Sequence, residues 1–327
     1  RNRDSILQVD EMEIAVFPDQ ARYSRVAVTT PQYVRTNNVT FNPGLRIEPA
    51  AWWSKPDNRI QKAVARLSAQ SSIQINRRTY SGAADVQPWN PFQLGALADS
   101  SLVTLAYGWR NILFINKTNP KWDASISSGD NRSRLAITTG FDARSNRDVT
   151  LHTRLNFSPL WSIEADVISG GRASDNEVFN NRDFSIEYVE AGPKITWIPD
   201  KQFRLSGTAR RRQSTNRIGQ FESAKQTNWN MELAWTPTAK PDGRGFKGST
   251  SLRIKGIFAN ISYEGQPNTA VAYSMLDGLQ NGKNFLWSVN LDRQLSKTVQ
   301  LTLNYEGRKT GENRMIHIGR AQVRALF

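Results

Sequence analysis

Cysteine is absent from all 327 residues, and histidine occurs only at His152 and His317. Disulfides and thiol chemistry are therefore excluded, and imidazole chemistry has two footholds at most. Also missing is any run near the roughly 18 apolar residues that a membrane helix needs. That excludes helical spanning but not a barrel, whose strands show lipid only every second side chain and average out as hydrophilic. The mean hydropathy is -0.56. There is no G-x-S-x-G, no H-E-x-x-H, no P-loop and no dinucleotide fingerprint. No cofactor and no metal site is expected. The chain opens Arg1-Asn2-Arg3-Asp4, without Met or signal peptide. Either a signal was cleaved or this is the C-terminal part of something longer, and the irregular first hundred residues favour the second.

The formal charge is +14. A nucleic-acid binder would cluster its Lys and Arg beside exposed aromatics or on a helix. Here they are scattered along alternating segments, so no nucleic-acid partner is expected. What remains is contact with anionic lipid or an anionic solute, or a solvated surface with no partner.

From Leu102 onward the chain alternates with period two between turn residues. Val149, Leu151, Leu155 and Phe157 oppose His152, Arg154 and Asn156. Trp161, Ile163, Ala165 and Val167 oppose Glu164 and Asp166. Phe203, Leu205 and Ala209 oppose Arg204, Arg210 and Arg212, and Phe285, Trp287, Val289 and Leu291 oppose Ser288, Asn290 and Asp292. A soluble sandwich would also alternate, but three features favour a barrel. Several runs exceed the mode of about five or six residues for soluble strands. Short links (Ser158–Leu160, Pro199–Lys201, Ser296–Thr298) alternate with long ones (Gly170–Asp183, Gln213–Glu222, Glu264–Lys283), as periplasmic turns alternate with outer loops. Aromatics gather beside the short links: Phe157, Trp161, Trp197, Phe203 and Trp235. That is a girdle at a membrane–water boundary, with Tyr188, Trp287 and Tyr305 toward the opposite strand ends as its counterpart.

The pattern predicts an all-β, antiparallel transmembrane β-barrel of about 14 strands, with short periplasmic turns and longer extracellular loops. Residues 1–100 would hold a less regular segment and the first strands, near Thr40–Trp53 and Lys62–Arg78; residues 101–327 would be the barrel. Parity fails twice. Gly129–Arg132 is either a turn or a bulge within a longer strand, and Arg253 and Lys255 share a side with Ile257 and Ile261, as a bulge near Gly256 would explain.

In the last strand Gly319, Ala321, Val323, Ala325 and Phe327 oppose Arg320, Gln322, Arg324 and Leu326. An aromatic chain end on the lipid face of a final amphipathic strand resembles the signal read by the outer-membrane insertion machinery, so Phe327 is the candidate assembly signal. Tyr273-Ser274-Met275-Leu276-Asp277-Gly278-Leu279-Gln280, Gly282-Lys283-Asn284, Tyr305-Glu306-Gly307-Arg308-Lys309 and His317 to Ala325 resemble the C-terminus of large, poorly characterised outer-membrane proteins of the Bacteroidota. Asp130 to Ser133 and Thr139 to Arg144 fit the same family. The resemblance covers roughly the last two-thirds of the chain. It implies a barrel in the bacterial outer membrane and a longer parent chain, and it supplies no activity.

The expected lumen carries His152, Arg154, Glu164, Asp166, Arg204, Arg210, Arg212, Asp292, Arg320 and Arg324, together with Glu187, Glu232 and Glu306. Such an interior either packs shut as an ion-pair network or forms a charged wall that selects solutes, and the arginine excess favours anions. Glu164 and Asp166 are expected to pair with Arg154 or with basic residues of facing strands. Met275, Leu276 and Leu279 make one long loop more apolar than a free loop needs, which suggests docking into the lumen or onto a partner. The function expected is a transport passage or a membrane-anchored subunit of an envelope complex. The expected partners are outer-membrane lipid and lipopolysaccharide, the barrel-insertion machinery and other envelope proteins. The rival is an outer-membrane hydrolase of phospholipase or protease type built on His152 with Asp166 or Glu164; no catalytic residue is assigned.

Overall fold

A computed structural model describes residues 33–53, 57–82, 87, 89–92, 101–137, 140–238 and 248–325. Phe327, on which the assembly signal rests, lies outside the described residues, as do Leu326 and Thr139.

Each alternating segment has one economical way to satisfy its backbone polar groups, which is to pair with the next. The result is a single antiparallel sheet of 14 strands. In chain order these are β1 (Thr36–Phe41), β2 (Gly44–Ile47), β3 (Leu67–Tyr80), β4 (Leu102–Ile115), β5 (Trp122–Ile137), β6 (Gly140–Ser158) and β7 (Trp161–Asn176). They continue as β8 (Phe184–Trp197), β9 (Phe203–Asn216), β10 (Ser223–Trp235), β11 (Thr250–Glu264), β12 (Gly282–Gln294), β13 (Val299–Thr310) and β14 (Ile316–Ala325). Two short helices, α1 (Arg59–Val64) and α2 (Ala270–Met275), interrupt them. The fold is all-β, antiparallel and sequential, an architecture that fits a barrel. The strands are long: β6 has 19 residues and β7 has 16, well beyond the soluble mode of about five or six.

Tight turns at one end are set by local side chains. Asp200 accepts from the Gln202 and Phe203 amides at 2.7 and 2.8 Å. Ser296 accepts from those of Thr298 and Val299 at 3.2 and 3.0 Å. These are Asx- and Ser-type turns that need no glycine.

The sheet does not close on itself among the described residues. β1 and β2 both pair with β3, so they share one wall position, and β14 pairs only with β13. Every neighbouring pair is antiparallel, and the path from β1 to β14 has an odd number of positions. The two free edges therefore run in the same direction. Antiparallel closure, the rule for single-chain outer-membrane barrels, requires an odd number of further strands between them.

Several expectations are corrected. The Lys62–Arg78 segment begins as α1 and becomes β3 only at Leu67, and Thr40–Trp53 is two short strands followed by a 3-10 turn at Pro49–Trp52. Gly129–Arg132 is neither turn nor bulge; it lies inside β5, paired without interruption to β4 and β6. No bulge occurs at Gly256, where β11 keeps register with β10 and β12 throughout. Much of the long links Gly170–Asp183 and Gln213–Glu222 is strand, since β7 runs to Asn176 and β9 to Asn216. Polar residues there simply continue the wall beyond its apolar stretch.

Candidate functional site

Register assigns every strand residue to one of two faces. On the inner face the row Asp123–Arg154–Glu164–Lys194 crosses four strands, and Ser125–His152–Asp166–Gly192 lies one pair above it. Arg204, Arg210 and Arg212 share this face, as do Asp292, Arg320 and Arg324. Arg154 bonds Asp123 on β5 at 2.6 Å, so its partner is not Glu164 or Asp166. Glu164 takes Lys194 at 3.0 Å. Asp292 accepts from Thr302 at 2.6 Å. Arg320 and Arg324 have no ion pair among the described residues, and Arg204 stands near Arg154 and Glu164 at the turn end.

The strongest arrangement is a continuous relay of charges. His152 Nδ1 lies 2.7 Å from Asp166 Oδ1, and Asp166 Oδ2 accepts from Arg210 at 3.0 Å. Arg210 and Arg212 both donate to Glu190, at 3.2 and 2.7 Å. Arg212 also donates to Asp277, which Arg172 approaches at 3.3 Å. Glu190 is only 5% exposed, a position a carboxylate tolerates because two guanidiniums compensate it. Sequence reasoning missed Glu190 and Asp277 as partners, because neither breaks any pattern; register sets Glu190 beside Arg212, and the turn after α2 brings Asp277 to it.

Tyr188 belongs to this inner face, opposite Gly170, and not to a girdle. Arg172 and Arg212 stack over its ring at 5.4 and 5.3 Å. The ring lies where a Cβ on Gly170 would stand, 2.7 Å from it. Gly170→Ala should therefore displace Tyr188 and cost about 1–3 kcal/mol of stability by overpacking, measurable as a lowered denaturant midpoint in detergent.

Asp277 is the link to the β11–β12 loop, which folds onto the inner face. α2 starts at Thr269, whose hydroxyl accepts from the Ala272 amide at 3.1 Å. Its helix ends on Asp277 and Gly278, with φ of +50° and +76°, a left-handed stop that Gly and Asp adopt most easily. Val271, Ala272, Met275 and Leu276 are buried against Ile186, Ala224, Ala259 and Ile261. Gln226 on β10 donates to the Met275 carbonyl, and the buried Asn284 holds the loop's return through the Gln280 carbonyl at 2.8 Å. This explains the parity failure of β11: its inner residues Ala259 and Ile261 are apolar because the loop packs on them, and Ile257 lines the hollow beside the loop's Leu279.

Several hollows of mixed polar and apolar lining lie along the inner face. One of about 840 Å³ sits between α2 and β5–β7. Another of about 330 Å³ is lined by Glu190, Arg210, Asn228, Asn230 and Leu279, and a third of about 750 Å³ opens at the turn end.

The outer face is apolar toward the turn end, and further along it carries the ion-paired Asp130, Arg132 and Arg147. Val149, Leu151 and Leu155 on β6, Val167 on β7, and Val189 and Ile195 on β8 are all exposed. Trp122, Trp161, Trp197, Phe203 and Trp235 end or begin their strands at the turn rim, with Phe157 at the bulge beside it. Trp161 and Trp197 stack at 5.7 Å, and Phe203 meets Trp197 edge-on at 5.7 Å. Trp122 completes the row and was readable as an aromatic at a strand start. Trp287 and Tyr305 also face outward but sit near the middle of their strands, not at the far ends. They pack around His317, whose Nδ1 is 2.8 Å from the Tyr305 hydroxyl.

For hydrolytic chemistry the register brings Ser125 opposite His152, itself bonded to Asp166. No hydrogen bond joins Ser125 to His152 among the described residues. Strand amides on either side are used by the ladder, which leaves no convergent donors for an oxyanion.

Fold and site together define a barrel-type antiparallel wall, apolar outside and charged inside, with one loop docked within. Set against known proteins, the chain matches no family model and no curated protein sequence.

Proposed function

We propose that this chain forms the wall of a bacterial outer-membrane β-barrel that works as a constricted solute passage. One observation carries the reading: an apolar outer face with an aromatic rim backs onto a charged inner face partly covered by a docked loop. Along β6 and β8 the outward face from Val149 to Phe157 and from Val189 to Trp197 extends about 26 Å along the strand at 3.3 Å per residue. Each stretch reaches the lower end of the roughly 9–11 residues with which a tilted strand crosses a membrane. The partners are then lipid and lipopolysaccharide around the wall and the insertion machinery during assembly. The Bacteroidota resemblance agrees with this location. The shared direction of the two free edges favours further wall strands, so service within a larger envelope assembly belongs to the same reading.

Reconstitution of the protein in planar bilayers tests it. Discrete conductance steps with anion selectivity are expected, and a permanently closed trace would overturn the passage. The hydrolase reading rests on the Ser125–His152–Asp166 row. His152→Ala is expected to leave a passage that still conducts and to abolish no lipid or peptide hydrolysis; loss of a hydrolytic activity in that variant would favour the rival.

A further inference from the structure

We propose that the hollow of about 840 Å³ between α2 and the β5–β7 wall is a binding site for a small acidic saccharide, which names the substrate class of the passage and rests on that reading. Its volume lies within the range of roughly 300–1,000 Å³ usual for small-molecule sites.

The charge of its lining points to an anion. Three guanidiniums, of Arg144, Arg172 and Arg182, line it with two carboxylates, Asp142 and Asp277, while the Arg132 side chain lies on the outer face, bonded to Asp130. Both carboxylates are already engaged. Asp277 is shared between Arg172 and Arg212, and Asp142 meets Arg144 at 3.1 Å. Arg182 has no carboxylate partner among the described residues; its guanidinium lies over Phe179 at 4.7 Å. The Arg144 side chain is 71% exposed, so its contact with Asp142 is a weak surface pair that a ligand carboxylate or phosphate can replace. Arg182, together with Arg144 once its weak pair with Asp142 is exchanged, thus provides two forked, planar donors for bidentate recognition of an oxyanion.

The rest of the lining points to a saccharide and not a bare ion. Asn131, Ser133, Asn146 and Ser174 offer hydroxyl and amide edges. Phe184 and Tyr273 offer ring faces. Tyr273 is 74% exposed while its α2 neighbours Ala272 and Met275 are buried, so the ring is left to the cavity and not used by the loop core. Polar edges beside aromatic faces match a sugar, whose hydroxyl rim and C–H faces require both.

Titration calorimetry on the full chain in detergent tests this without needing conductance. Trigalacturonate should bind, inorganic phosphate at least tenfold more weakly, and neutral maltotriose not measurably. Arg144→Gln with Arg182→Gln should weaken trigalacturonate at least tenfold, in line with two lost charged hydrogen bonds; Tyr273→Ala should weaken it roughly two- to tenfold. Maltotriose binding equal to that of trigalacturonate, phosphate binding as tight, an unaffected double arginine variant, or no binding at all would each overturn the proposal. Conductance without binding would leave the passage standing and remove the site. Binding without conductance would do the reverse.

Discussion

Met275→Asp should release the β11–β12 loop from the inner wall and raise single-channel conductance several-fold. Met275 is 2% exposed, packed among Ile186, Ala224, Ala259 and Ile261. Truncating a buried Met costs about 2–5 kcal/mol, and a carboxylate placed there adds an unpaired charge in an apolar site. α2 is too short to be stable without its packing. The clasp cannot hold the loop alone, because Asp277 is half exposed and its pairs with Arg172 and Arg212 are correspondingly screened. The wall keeps its ladder, so the heat-stable mobility of the folded barrel on gels should persist. Protease cleavage within residues 265–281 should appear at the same time. Unchanged conductance together with new cleavage would mean that the loop does not limit the passage.

The second large effect lies on the opposite face. Leu151 and Val167 are directly paired on β6 and β7, and both are exposed to the outside. Arginine at the centre of a lipid-facing band costs about 2–4 kcal/mol per residue, so Leu151→Arg with Val167→Arg should cost about 4–8 kcal/mol and abolish folding into lipid vesicles. Thr150→Arg with Ile168→Arg, the adjacent pair on the inner face, is the control and should fold. Equal folding of both double variants, assayed by gel mobility after vesicle refolding, would contradict a lipid-facing outer surface.

How much of this was readable beforehand depends on what each residue faces. β6, β7, β9 and β12 were legible because one side meets an apolar surround and the other meets charge, and period two records that contrast directly. β11 misled because its inner face is apolar where the loop lies over it; Ile257 and Ile261 look like lipid-facing residues to a rule that knows two environments only. Tyr188 misled in the same way. An aromatic near a strand end resembles a girdle residue, yet this one fills the space above Gly170 and receives Arg172 and Arg212. Docking of Met275 and Leu276, either onto a partner or inward, was anticipated from their apolarity, and the inner wall is where they pack. The relay through Glu190 and Asp277 was not, since it exists only through cross-strand register and a left-handed residue at the end of α2. The family resemblance offered an expected location and said nothing of the chemistry of the inner face.

The absence of native cysteine makes the central claim directly measurable. Single cysteines at Glu164, Ala165, Asp166 and Val167, placed one at a time in the protein reconstituted in vesicles, report the surroundings of four successive β7 side chains. The account predicts strict alternation: a fluorophore attached to the thiol before reconstitution is quenched by lipid-borne nitroxide at 165 and 167 and not at 164 and 166, while unlabelled cysteines react with water-soluble maleimide at 164 and 166 and resist it at 165 and 167. Uniform labelling of all four from water, or the reverse alternation, would contradict a wall with lipid outside and a charged passage within.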